Sequence, residues 1–287
     1  FCARGDSIDF GSSASSVLAV AGDEPSLVNQ GIYNYVYFHM VPSPVTVYRN
    51  IQKLPAAHYL DYQNGRVQLV NYWRPEFSES TTQHALSNLS TQLKSLLRNS
   101  VEQCLAGAGN VGAFLSGGLD SSTVAGFLAE SGLGEVAAYS IGFAADGYDE
   151  MAYARITARH FNLKLNEYYV TPQDVVDALP LIATSYDEPF GNSSALPAYF
   201  CAKMAAENGV SRLLAGDGGD EIFGGNERYV KQRVFEHYGR IPASLRNGLV
   251  EPLVRLLPSA LPLIPKASSY INQAKTPLPD RLQSSTF

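Results

Sequence analysis

Cysteine is scarce: Cys2, Cys104 and Cys201 are three, an odd number without close spacing, so neither a disulfide framework nor a zinc ligand set can be assembled from them. A reducing cytoplasm suits that usage. The histidines, His39, His58, His84, His160 and His237, fall at no metal-binding spacing and are expected in structural or surface roles, and no Gly-x-Ser-x-Gly elbow is present to make a hydrolase. Long apolar runs are missing too. The richest stretch, Leu249 to Pro265, carries Glu251, Arg255 and four prolines, so no regular membrane-crossing helix is expected. Basic charge is in deficit, with 21 Lys and Arg against 27 Asp and Glu and a net charge of -6. That leaves no electrostatic footprint for a duplex nucleic acid. At Phe1 there is no initiator Met, basic n-region or apolar h-region, so no export signal is visible and a piece of a longer protein is expected. The sequons Asn88-Leu89-Ser90 and Asn192-Ser193-Ser194 are triplets that chance supplies and carry no meaning in a cytosolic chain.

What is present is a globular composition: 287 residues, 45% hydrophobic, 17% charged and 11% aromatic. It allows one large domain or two smaller ones and excludes disordered, collagenous and coiled-coil classes. Residues 1 to 75 are rich in Tyr, Val and Gly, and the alternating runs Val45-Thr46-Val47-Tyr48 and Val67-Gln68-Leu69-Val70 predict strands. Asn64-Gly65 between apolar runs predicts a hairpin, and alternate Tyr33, Tyr35 and Tyr37 suggest strand packing. The polar stretch Phe77 to Gln83 has the composition of a linker, which sets domains at 1–76 and 77–287.

Beyond it, Leu86, Leu89, Leu93, Leu96, Leu97, Val101 and Cys104 recur at helical intervals. Strands and helices then alternate. Strands are predicted at Val111–Leu115, Val136–Phe143, Leu165–Val170 and Arg212–Ala215. Helices are predicted at Asp120–Ser131, with Asp and Ser in capping positions, and at Asp149–Phe161, Pro172–Tyr186 and Ala195–Asn208. Such a succession implies an α/β fold, a mostly parallel sheet with helices on both faces, and ligands bind such sheets at the carboxyl ends of the strands. Pro252 to Pro265 suggests a covering pair of helices.

Two segments carry the chemistry. Ser116-Gly117-Gly118-Leu119-Asp120-Ser121-Ser122 lies between a buried strand and a helix; its glycines admit a close anion, the helix N-terminus offers N–H groups, and the serines add hydroxyls. It lacks the Lys of a Walker A loop, which disfavours an ordinary P-loop kinase or GTPase. Asp120 beside a phosphate cradle would repel the ligand unless a divalent cation lies between them, which argues for Mg²⁺. The second segment, Gly216-Asp217-Gly218-Gly219-Asp220-Glu221-Ile222-Phe223-Gly224-Gly225, again follows a strand. There Asp220 could complete the Mg²⁺ shell and Asp217 could act on a proton or hold a cationic group. The plainer alternatives are a Gly-rich turn with a capping Asp and a solvated acidic turn. Gly107-Ala108-Gly109-Asn110-Val111-Gly112 matches the dinucleotide fingerprint but precedes a strand, the wrong context.

With their order, their separation of about a hundred residues and the intervening Ser185-Tyr186-Asp187-Glu188-Pro189-Phe190 and Ser193-Ser194-Ala195-Leu196-Pro197, these motifs resemble the C-terminal synthetase domain of glutamine-dependent asparagine synthetases. That family is a branch of the ATP pyrophosphatases, with the adenine nucleotide alpha hydrolase-like fold. The resemblance implies that Ser116, Gly117, Gly118, Asp120, Ser121 and Ser122 serve the ATP pyrophosphate, that Leu115, Ile141 and Gly216 flank the adenosine, and that Asp120 and Asp220 hold Mg²⁺. It further implies adenylation of a small-molecule carboxylate and displacement of AMP by ammonia, with Asp217, Asp120 and Asp220 catalytic.

Two departures qualify it. Asparagine-forming enzymes usually have Glu where this chain has Asp217, so the acceptor carboxylate stays open, its pocket expected around Asp187, Asn192 and Asp217. Residues 1 to 75, through Tyr72 and Trp73, resemble only the last part of the family's α+β N-terminal-nucleophile glutaminase domain. Cys2 follows Phe1 without the family's succeeding residues and is not read as the nucleophile, and ammonia is expected from a glutaminase domain mostly absent from this chain. The fragment is expected to bind ATP and to turn over poorly, since it also stops at Phe287 before a further acceptor-side stretch. A homodimer is compatible with all of this. A nucleotide-binding or scaffold module without ligase turnover is the alternative; sulfur transfer to RNA would need a positioned Cys and a basic face, neither of which is visible.

Overall fold

The computed structural model of the chain describes residues 1–22, 24–76, 85–144, 149–257, 263–277 and 281, in two units, Phe1–Ala215 and Gly216–Phe287. The first opens with two antiparallel pairs, β1 (Cys2–Arg4) with β2 (Ser7–Asp9) and β3 (His58–Gln63) with β4 (Arg66–Asn71). Asn64 and Gly65 both have positive φ, 49° and 76°, the two-residue turn whose twist matches that of paired strands. The predicted hairpin is therefore present.

Between the pairs lie α1 (Ala14–Ala21) and α2 (Asn29–Phe38), the latter where alternate Tyr33, Tyr35 and Tyr37 suggest strand packing. Tyr33 and Tyr37 are helical neighbours four apart with stacked rings, centroids 6.2 Å apart. Gly31 explains where α2 lies: a Cβ there would come within 2.7 Å of the Thr46 carbonyl oxygen, so the helix backbone rides directly on residues 46–47. The run Val45–Tyr48 is correspondingly no strand. Only Tyr48 bridges, to Leu27, because Thr46 Oγ1 binds the Tyr48 and Ile51 carbonyls and bends the chain there. The Phe77–Gln83 linker lies outside the described residues.

The rest of the first unit follows the predicted alternation closely: α3 (Leu86–Leu105), β5 (Val111–Phe114), α4 (Leu119–Ala129), β6 (Ala137–Phe143), α5 (Met151–Phe161), β7 (Lys164–Val170), α6 (Pro172–Ser185), α7 (Ala195–Glu207) and β8 (Arg212–Leu214). The four strands pair in parallel in the order β7-β6-β5-β8, with Ala113 opposite Ala138 on one side and Leu214 on the other. Alternating side chains serve two cores. Val111, Ala113, Leu115 and Ala138 meet Val101, Ala125, Leu128 and Ala154 from α3, α4 and α5. Tyr139 on the opposite face meets Cys201 and Ala205 of α7, and Val170 meets Ala178 of α6 and Phe200 of α7. Helices therefore cover both faces, as a parallel sheet requires. Thr171 caps α6 reciprocally with Asp174, each side chain engaging the other's backbone N–H.

The second unit is helical: α8 (Gly219–Phe223), α9 (Glu227–Arg240), α10 (Ala243–Leu245), a π-helical turn Arg246–Val250, α11 (Glu251–Leu256) and α12 (Leu263–Lys275). The Pro252–Pro265 helix pair is α11 and the start of α12, residues 258–262 lying outside the described ones. Buried Glu251 accepts from Tyr238 Oη at 3.0 Å and pairs with Lys275. Among the described residues no helix is long and apolar enough to cross a membrane.

Candidate functional site

The strand order reverses between β5 and β8, which stay parallel, because the crossovers run outward through β6 and β7 before the chain returns to the other side of β5. Adjacent loops part at such a switch point and leave a crevice above the strand ends. Residues Ser116–Gly118 leave β5 there and enter α4. Gly117 has φ +89°, and a Cβ on it would lie 2.7 Å from both Ala154 N and Tyr153 Cβ, so α5 packs against the loop as closely as backbone allows.

The loop is wound around two hydroxyls. Ser121 Oγ accepts from Ser116 N at 3.3 Å, donates to the Gly118 carbonyl at 3.2 Å and lies 2.9 Å from Ser116 Oγ, which in turn accepts from Gly118 N at 3.2 Å. This corrects the capping expectation: Gly118 is the N-cap of α4, and no side chain caps the helix, because Ser121 turns back to the loop and Asp120 already lies in the first turn. A helix start without a side-chain cap leaves its N–H dipoles for an incoming anion. Asp120 is half-buried and has no hydrogen-bond or ion-pair partner among the described residues.

The remaining assigned residues divide. Ser122 Oγ lies 3.0 Å from Thr157 Oγ1, joining α4 to α5, a bond between residues too far apart in sequence for any motif to announce. Leu115 is 1% exposed, its side chain lies in the main core, and its N–H donates to the Tyr139 carbonyl. Ile141 is half-buried between the two clusters on the α6–α7 face. Asp187, expected near the acceptor, and its neighbour Glu188 engage the N-terminal segment: Ala14 N donates to Asp187 Oδ2 at 2.7 Å, and Lys53 Nζ reaches Glu188 Oε2 at 2.5 Å. Asn192 Oδ1 accepts from Ser194 N at the start of α7. Cys2 is buried with Val17 and Ile51, unsuited to attack a substrate, and burial pushes the Cys201 thiol up to about 12.

Gly216, Asp217 and Asp220 belong to the second unit. Gly218, at φ +88°, starts α8, and Gly224, at φ +69°, ends it by donating its N–H to the Asp220 carbonyl at 2.8 Å. Asp217, Asp220 and Glu221 are exposed, and the Asp220 carboxylate lies over Gly225, where a Cβ would be 2.3 Å from Oδ1. No group of three or more His, Cys, Asp or Glu that could hold a metal occurs among the described residues. Mg²⁺ does not demand one, since it is commonly held by one or two carboxylates together with substrate phosphates, and Asp120 and Asp220 are hard oxygen donors of that kind. A separate cavity of about 1000 Å³ lies among Phe10, Val17, Met40, Tyr62, Lys53 and Phe190, and none of the Ser116–Ser122 loop lines it.

Residues 92–284 match the family model for asparagine synthase, and residues 1–73 that for a glutamine amidotransferase domain. A provisionally named glutamine-hydrolyzing asparagine synthetase 2 of Methanocaldococcus jannaschii is 32% identical over 245 residues, 84% of this chain and 47% of that protein. The glutamine-hydrolyzing asparagine synthetase 1 of Bacillus subtilis is 27% identical over 277 residues, 96% of this chain and 42% of that one. The chain thus spans about half the length of the curated relatives it matches. Among solved structures, an NH3-dependent NAD synthetase from Campylobacter jejuni overlaps 68% of this chain and 98% of its own at 13% identity, with a TM-score of 0.31, too low for a shared fold to be argued. With the synthase match running through the parallel sheet, both glycine-rich acidic loops and the helices beyond, the chain belongs to the asparagine synthase family.

Proposed function

We propose that this chain is the ATP-handling part of an amide-forming ligase, with 1–76 as a glutaminase-like remnant and 77–287 as the synthetase domain. The carboxylate oxygen of a small acid attacks the α-phosphorus of ATP, the bond to the β-phosphate oxygen breaks and pyrophosphate leaves. Ammonia then attacks the carbonyl carbon, AMP departs, and the amide forms. The observation that carries this reading is the loop at the end of β5, where a positive-φ glycine turns the backbone toward a helix start without a side-chain cap.

Each residue has a task there. The N–H groups of Gly117, Gly118 and the first turn of α4, with the Ser116 and Ser121 hydroxyls, bind the pyrophosphate oxygens, exchanging their present internal bonds for charge-assisted ones. Ser122 holds α4 to α5 and supports the loop from behind. The backbones of Leu115 and Gly216 and the side chain of Ile141 border the adenosine. Asp120 and Asp220 would hold Mg²⁺, which when bound neutralises charge gathering on the departing pyrophosphate. Asp217 acts on a proton or a cationic group of the acceptor. The setting is the cytoplasm, where the three free thiols stay reduced.

The test is exchange of labelled pyrophosphate into ATP by the 287-residue chain with Mg²⁺ and a panel of small carboxylic acids, beside direct titration with ATP. At least one acid supports exchange, and Asp120→Asn or Asp220→Asn lowers it about 100-fold with an unchanged circular dichroism spectrum. ATP binding without exchange for any acid fits both a nucleotide-binding module and a synthetase domain that turns over poorly alone, and the same assay on the full-length protein then separates the two. No ATP binding would refute both.

A further inference from the structure

Tyr186–Gly191, between α6 and α7, is bound to the N-terminal segment through Asp187, Glu188 and Gly191. Asp187 uses both carboxylate oxygens on the start of α1, from Ala14 N at 2.7 Å and Ser15 Oγ at 3.4 Å, and its carbonyl accepts from Tyr48 Oη at 3.1 Å. Glu188, with only 13% of its side chain exposed, accepts from Val47 N at 2.8 Å through Oε1 and from Lys53 Nζ at 2.5 Å through Oε2. Lys53 Nζ also donates to the Val41 carbonyl at 2.5 Å, and Gly191 N to the His39 carbonyl at 2.9 Å. Partners from α1, the turn after α2 and the approach to β3 thus converge on a single connector.

We infer that Asp187 and Glu188 are positioning residues, a latch through which the amidotransferase-like segment sets the connector that starts α7. Three features separate this from ordinary packing. The contacts are charge-assisted and directional. Glu188 is nearly buried, so its charge is met by Lys53 and the Val47 amide together, and losing Lys53 leaves it without a counter-charge. The same pair lines the cavity of about 1000 Å³ shared by residues 1–62 and 186–190, so the latch also holds its two walls together. The inference is independent of which acid is amidated, and of whether any is.

Hydrogen exchange on the 287-residue chain tests it. Lys53→Met removes the cation while keeping much of the stem, Lys53→Arg keeps the cation, and Glu188→Gln keeps a group able to accept from Val47. Lys53→Met raises exchange at the amides of Ala14, Val47 and Gly191 about tenfold, whereas amides of β5 and β6 change less than about twofold. Lys53→Arg returns the first three to within about threefold of wild type, and Glu188→Gln falls between. Equal acceleration in β5 and β6 would show general destabilisation and overturn the inference, as would unchanged exchange in Lys53→Met or failure of Lys53→Arg to restore protection. Should Lys53→Met not fold, Asp187→Asn supplies the same comparison through Ala14 alone.

Discussion

Replacing Gly117 by Ala adds one methyl group, and the structure says what it meets. At φ +89° an L-residue is strained by about 1–2 kcal/mol. The new Cβ would also lie 2.7 Å from Ala154 N and Tyr153 Cβ. Ala154 is fully buried in the main core, so α5 cannot retreat without opening that core, and overpacking of this kind costs about 1–3 kcal/mol more. The sum, about 2–5 kcal/mol, is relieved by displacement of the loop, which misaims the N–H groups around it. Each charge-assisted bond lost is worth about 1.5–3 kcal/mol, so ATP affinity falls by about tenfold to a hundredfold or more. Gly118→Ala is the control. Gly118 has φ -68°, and its Cβ would meet only Ser116 Oγ at 3.3 Å, so the cost is that of Ala at an N-cap, about 1 kcal/mol or less. Urea unfolding gives both stabilities and calorimetric titration gives ATP affinity. If Gly117→Ala matched wild type in both, the loop would not be the tightly packed cradle argued above. If Gly118→Ala were the more destabilised of the two, the reasoning from φ and contact distance would be wrong.

Thr171→Ala removes the reciprocal cap of α6 and lowers unfolding free energy by about 1 kcal/mol, which urea denaturation reads directly. Of the three thiols, exposed Cys104 reacts with iodoacetamide in the native chain while buried Cys2 and Cys201 stay protected until unfolding, as peptide mapping would show. Early alkylation of Cys201, whose thiol burial pushes up to about 12, would contradict its place on the face of α7 packed against Tyr139 of the sheet. The Arg155 guanidinium holds the Glu167 carboxyl below the usual carboxylate range. Its contribution is therefore full above the unfolded value of about 4.3 and disappears as pH falls through the lower folded value. Wild type and Glu167→Gln consequently differ in melting temperature at neutral pH and converge in acid; a gap that widened on acidification would reverse the sign.

Regular periodicity made the central sheet legible. The buried run at Val111–Leu115 and the helical stripe through Val101 are local signals, and the tertiary structure respects them. The N-terminal segment was less transparent, since alternate tyrosines at 33, 35 and 37 satisfy a strand pattern and an exposed helix equally. The choice fell to the close approach of Gly31 to residues 46–47, a contact between positions fifteen or more apart that no local window contains. The capping misassignment has a similar source, because Asp120 and Ser121 are good capping residues placed one turn too late once Gly118 takes that position.

Sequence alone determined the order of strands and helices from Leu86 to Leu214, the two glycine-rich acidic loops and the scarcity of paired cysteines, because each depends on residue type over short separations. Only the tertiary structure decided that Ser116 and Ser121 share one hydrogen-bonded loop, that Ser122 is taken by Thr157, and that Asp187 and Glu188 reach Ala14, Val47 and Lys53. A carboxylate reads the same in a sequence whether it faces a substrate or the ammonium of a distant lysine. What it meets is fixed by packing between segments more than a hundred residues apart.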